Sequence, residues 1–134
     1  MPTTTAAITL SSADLTGDAL ALSTTSTLTK GGTTSGLDQT TGVGRKTYKQ
    51  NTIDTLIAAT DYSTGNKAHK VYLKNTSTVA TEYIVLTVNS QEIGRLYAGD
   101  WTLLPWTAAA SADIKVTPSV ATALTVEYAV IFEE

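Results

Sequence analysis

The residues that could do chemistry are few and scattered. His69 is the single histidine and stands beside Lys70. A nucleophilic triad needs such a histidine together with a hydroxyl and an orienting carboxylate. Ser63 and Asp61 are near it in the chain, but nothing around them resembles the strand-turn-helix elbow that presents a nucleophile. The expectation is therefore a structural histidine on the surface. The acids Asp14, Asp18, Asp38, Asp54, Asp61, Glu82, Glu92, Asp100, Asp113 and Glu127 are spread over turns and polar strand faces. Glycoside hydrolysis requires two carboxylates facing one cleft, and this dispersal is instead that of solvated acids. No EF-hand spacing and no phosphate-binding glycine loop occur. Cysteine is absent, which removes disulfides, thiolate nucleophiles and cysteine zinc sites together. The reading is a non-enzymatic chain with no catalytic residue, metal or cofactor.

Aromatic and basic residues offer binding instead of catalysis. Tyr97 with Trp101 or Trp106 would suit stacking on a sugar ring, yet residues five apart on a strand point to opposite faces. One tryptophan is thus assigned to the core, and the other, taken as Trp101, to an interface, where tryptophan is enriched. Arg45, Lys46 and Lys49 make a candidate basic docking patch for an acidic partner, and Lys67, Lys70 and Lys74 cluster on a second strand face. The formal charge of −3 and the sparse positive residues argue against nucleic acid as a partner.

The elements that must position these residues are strands. Threonine is about a fifth of the chain, and Thr, Val, Ile and Tyr favour pleated backbone. Residues 70–74 alternate, with Val71 and Leu73 on one face. Residues 82–89 carry Ile84, Leu86 and Val88 on one side and Tyr83, Val85 and Thr87 on the other. A strand apolar on both sides belongs in the centre of a sheet or in an oligomer contact. Residues 92–97 and 101–106 flank the turn Ala98-Gly99-Asp100 and read as a hairpin. Residues 112–117 follow, ended by Pro118, and residues 124–132 form the longest alternation. Residues 55–60 make a further short strand, and only around residues 53–59 is there a weak helical pattern. The fold expected is all-β: a β-sandwich or jelly-roll-like domain over residues 48–134, with an extended N-terminal arm over residues 1–47.

That division rests on the absence of any aromatic residue before Tyr48. Ordering backbone costs about 1–2 kcal/mol per residue, against about 1.5–3 kcal/mol returned by each buried aliphatic side chain. The aliphatics of the first segment are too few to order it alone. An arm paired with another surface is the reading preferred over disorder. Leu10, Leu15, Leu20, Leu22 and Leu28 of the arm, with Tyr83, Val85 and Trp101 of the domain, are the candidate assembly interface. Residues 1–5 carry neither a basic stretch nor an apolar one, so no secretory signal is expected. No apolar run approaches the roughly 20 residues of a membrane helix.

Two stretches resemble a known class of proteins. Residues 17–42, containing Thr29-Lys30-Gly31-Gly32-Thr33-Thr34-Ser35-Gly36-Leu37-Asp38, are similar to the N-terminal region of small virion structural proteins of tailed phages, notably those of cyanobacteria. Residues 92–106, with Ala112-Asp113-Ile114 and Val126-Glu127-Tyr128, resemble their C-terminal β domain. The resemblance implies a capsid decoration, or cement, protein made in the host cytoplasm and carried on the virion surface. Its implied partners are further copies of itself, as a homotrimer, and the major capsid protein, with no membrane. A tail, neck or baseplate component is the alternative within that class. A receptor- or carbohydrate-binding virion module is the alternative outside it.

Overall fold

The first two strands pair with each other. In the computed structural model, which describes residues 2–134 apart from 16, 63, 64 and 66, β1 (Thr4–Ser12) and β2 (Leu20–Leu28) form an antiparallel hairpin. Its register runs without a shift from Thr4 opposite Leu28 to Ser12 opposite Leu20. Residues opposite each other share a face. Ala6, Ile8, Leu10, Leu20, Leu22 and Leu28 therefore lie on one side, and Thr5, Thr9, Ser11, Ser23, Thr25 and Thr27 on the other. In place of the single extended arm expected, this part of the chain folds back on itself and pairs the inner edges of its two strands.

The remaining strands are β3 (Gln39–Thr40), β4 (Gly44–Tyr48), β5 (Asp54–Ile57), β6 (His69–Asn75), β7 (Tyr83–Val88), β8 (Gln91–Tyr97), β9 (Trp101–Trp106), β10 (Ile114–Pro118) and β11 (Leu124–Phe132). They make two antiparallel sheets. One has the order β5-β10-β7-β8. The other has the order β3-β11-β6-β9, with β4 pairing the same β11 that β3 joins further along. The pairings β4–β11, β5–β10, β6–β9 and β7–β8 nest inside one another, as in a long hairpin rolled up on itself. That strand order is a jelly roll, which decides between the two topologies that the sequence left open.

The core lies between the sheets. Ile84 and Leu86 of β7 and Ile114 and Val116 of β10 face Val71 and Leu73 of β6 and Leu124, Val126 and Val130 of β11. All are buried, and each contributes about 1.5–3 kcal/mol by leaving water. Trp106 closes one end, its indole N–H donating to the Ala112 carbonyl at 2.8 Å. Strand β7 lies between β10 and β8, so its two-sided apolarity is that of a central strand.

Three expectations change. Residues 92–97 and 101–106 are strands but not a hairpin: β8 pairs β7, while β9 pairs β6 in the other sheet. The turn between them is pinned to the end of β6, with Gly99 N–H donating to the Asn75 carbonyl at 2.9 Å and Asn75 N–H to that of Asp100 at 3.0 Å. The hairpin within this sheet is β7–β8, turned by Asn89 (φ 49°) and Ser90 (φ 61°). The sandwich starts before Tyr48, because β3 and β4 bond to β11 and Leu37 is buried. Residues 54–57 are a strand, followed by one 3₁₀ turn at Ala59–Asp61 in place of helix.

Candidate assembly surface

The hairpin is anchored at its base and open at its end. Leu37 N–H donates to the Leu28 carbonyl at 2.9 Å, and Thr29 bridges to Gly36. A Cβ at Gly36 would stand 2.3 Å from the Pro2 carbonyl oxygen, so only glycine allows that crossing. Lys30 and Asp38 form an ion pair across the same loop. Leu28 is buried here, and that corrects its assignment to the assembly interface: the chain's own packing already uses it. Beyond the base, Leu10, Leu20 and Leu22 are 49%, 41% and 48% exposed, and Leu15 near the tip is 70% exposed.

Two of the candidate interface residues, Leu10 and Trp101, converge. Ile8 and Leu10 of β1 face Leu96 and Trp101, with Gly99 and Asp100 of the β8–β9 turn, across an open cleft of about 420 Å³. Trp101 is 51% exposed while Trp106 is buried, as the spacing of five requires. An open cleft walled by leucine, isoleucine and tryptophan suits an apolar protein surface better than a small polar ligand. Tyr83 and Val85 are elsewhere, half-buried on the outer face of the other sheet. The Arg95 guanidinium stacks 4.7 Å from the Tyr83 ring, and Tyr97 packs 5.2 Å from it. Tyr97 and Trp101 therefore belong to different sheets.

The basic residues at the start of the jelly roll are paired individually. Arg45 meets Glu127 at 2.8 Å, and Lys46 meets Asp54 at 2.8 Å while lying 5.1 Å above the Tyr48 ring. Neighbours on a strand point oppositely, so Arg45 and Lys46 leave the sheet on different sides. Lys49 stands exposed beyond the end of β4. The three do not form one patch. Hydrogen bonds from Arg45 and then Tyr72 hold the Glu127 carboxyl below its usual range, and the bond from Lys46 does the same for Asp54. Burial pushes the Tyr48 hydroxyl well above its ordinary value.

His69 is not on the surface. It is 2% exposed, stacked on Phe132 with an interplanar angle of 8° and met edge-on by Tyr62 and Trp106. Neither ring nitrogen closes a well-formed hydrogen bond to the described residues. Burial pulls its pKa below the ordinary 6.5, and the backbone of Lys67 and the charge of Glu133 only partly oppose this. The signal that could have found it is parity, since inward and outward residues of β6 alternate and His69 is in phase with Val71 and Leu73; its polarity pointed the other way. Ser63 lies outside the described residues, and Asp61 is exposed on the 3₁₀ turn. Glu133 also escaped the sequence reading. It is buried, and its carboxylate accepts the Gly31 N–H at 2.7 Å.

Among the described residues, no group of three His, Asp or Glu side chains is placed to hold a metal ion. No helix among them is long and apolar enough to cross a membrane. Comparison with protein-family models, with curated proteins and with solved structures finds no match for this chain.

Proposed function

We propose that this chain is a decoration protein of a tailed-phage capsid, binding the assembled shell through its hairpin and stabilising it. The observation that carries the reading is the hairpin: nine paired positions, one apolar face, and Leu10, Leu20 and Leu22 left about half exposed. An ordered element that contributes so little to its own core is suited to covering another surface. The jelly roll is then the platform, and the cleft between β1 and Trp101 is continuous with the contact face. The resemblance of residues 17–42 and 92–106 to small phage virion proteins supplies the partner, the major capsid protein. Binding only the assembled shell stabilises it by mass action, and several copies joined together add avidity.

The test is retention on shells of the virus that encodes the chain. Wild-type protein is expected in copy numbers near those of the major capsid protein. Replacing Leu10, Leu20 and Leu22 together by serine should leave the β fold and weaken retention by about tenfold or more. A few copies per particle would point to a tail or neck component. Full retention of the triple variant would remove the hairpin from the contact.

A further inference from the structure

The long edge strands of the jelly roll are each guarded against joining another sheet. Strand β5 carries Asp54, β4 carries Arg45 and Lys46, β8 carries Glu92 and Arg95 with a bulge at Ile93, and β9 carries Pro105. Charges, proline and bulges are the means by which natural edges avoid foreign strands. Strand β2 has none of them. Residues 20–27 contain no charge, proline or glycine, all are exposed, and among the described residues no strand pairs with their outer edge. Only at Leu28 is that edge engaged, by Leu37. A two-stranded hairpin is marginal by itself, and a sheet with one apolar face gains from further strands.

We propose that β2 pairs edge to edge and antiparallel with β2 of a second copy of this chain, giving a four-stranded sheet across a twofold axis. Centred on Ser23, the pairing sets Leu20 opposite the partner's Ser26 and Leu22 opposite the partner's Thr24. Residues opposite each other share a face, so the leucines of both copies form one continuous apolar surface. A slip of one residue would turn the second copy's leucines to the serine and threonine side, which fixes the parity of the register, and centring on Ser23 keeps each leucine opposite a short polar side chain. The occupant is a second copy because a charged strand would find no counter-charge along β2. Strand β1 is as free of charge, proline and glycine, but its Thr4, Ala6, Ile8 and Ser12 are partly covered, with Ile8 facing the cleft at Trp101, which leaves β2 as the strand exposed along residues 20–27. A twofold contact uses the same patch on both copies and closes, so an unguarded edge need not propagate into a fibre. The inference rests on the hairpin being an assembly element, as in the decoration reading, but not on a capsid being its target, and it sets a twofold pair in place of the homotrimer that the resemblance implies.

Analytical ultracentrifugation of the full chain tests it. Wild-type protein is expected at the mass of two chains of 14.1 kDa each. Ser23→Lys with Thr25→Lys places like charges across the axis on the exposed polar face. This should weaken dimerisation by about tenfold or more, with unchanged near-ultraviolet circular dichroism. In this cysteine-free chain Ser23→Cys should oxidise to a covalent dimer, because its Cβ atoms would face each other across the axis. Thr5→Cys, at the far edge of the hairpin, should not. Wild-type monomer, trimer or open-ended aggregate would overturn the pairing, as would a lysine variant that stays dimeric or a Ser23→Cys chain that does not cross-link. Loss of the dimer with shell binding intact removes this pairing alone. A dimer that ignores shells removes the decoration reading alone.

Discussion

The backbone N–H of Gly31 donates to the carboxylate of Glu133 at 2.7 Å, across 102 positions of the chain. Glu133 is itself buried, and its own N–H reaches the Ala68 carbonyl at 3.2 Å. The bond joins the loop at the foot of the hairpin to the end of β11, close to buried Leu28 and Leu37. The hairpin is consequently held at its foot by hydrogen bonds and packing, while its leucines remain uncovered.

Glu133→Ala should free this foot. The lost charged hydrogen bond is worth about 1.5–3 kcal/mol locally. Hydrogen exchange at the Gly31 amide should accelerate accordingly, with little change in amides of β6 and β7. Glu133→Gln keeps an acceptor and should recover most of the protection. Equal exchange in all three proteins would show that the bond carries no weight.

Truncation should depend sharply on where the chain is cut. Removing residues 1–26 takes away most of the hairpin but spares Leu28, Leu37, β3 and β4, so a cooperative thermal transition should remain. Removing residues 1–45 also takes β3, the first residues of β4 and the Arg45–Glu127 pair from the sheet. That loss exposes one edge of β11 along with the buried Leu124 beneath it, and the domain should be unfolded or insoluble. A stable domain from the longer deletion would contradict the register of β4 on β11.

His69 predicts a pH dependence. Burial among aromatic rings sets its folded pKa below the unfolded 6.5, so the unfolded chain takes up a proton that the folded chain resists. Stability is full above pH 6.5 and declines as pH falls below it. Asp54 and Glu127, with depressed carboxyl pKa values, lose their contribution only at lower pH, below unfolded values of 3.8 and 4.5. The decline between pH 6.5 and 5 should therefore vanish in His69→Phe, whose ring can take the stacked place against Phe132. Urea midpoints across that interval decide it, and an unchanged slope would place the titration elsewhere.

Asn75 should be among the costliest polar positions to alter. Fully buried, its amide donates to the Leu96 carbonyl at 3.0 Å and to that of Glu82 at 3.3 Å, while its side-chain oxygen accepts the Ser77 N–H at 3.0 Å. Asn75→Ala leaves these groups without partners in the interior, at about 2–4 kcal/mol. Chemical denaturation should register the loss. Thr78→Ala, on the exposed loop nearby, should change stability by less than about 0.5 kcal/mol.

The β class and the inward faces of β6, β7, β10 and β11 were legible because alternation is a local property. Val71 and Leu73, or Ile84 and Leu86, declare their side by neighbours two positions away. The same rule separated Trp101 from Trp106. It also places His69 inside, in phase with Val71 and Leu73, and only the polarity of the ring suggested the surface. Of the candidate assembly leucines, Leu10, Leu20 and Leu22 are exposed in β1 and β2, whereas the crossing at Gly36 and Leu37 buries Leu28, which no local pattern announces.

By itself the sequence determined the strand content, the faces, the absence of thiol chemistry and the thinness of the first segment. Tertiary structure alone decided which strands are neighbours. The turn at Gly99 carries the chain between sheets because Asn75 captures it, and the positive φ of Asn89 and Ser90 folds β7 onto β8. The first segment became a hairpin for the same reason: pairing depends on where distant backbone groups meet, and no pattern of nearby side chains encodes that meeting.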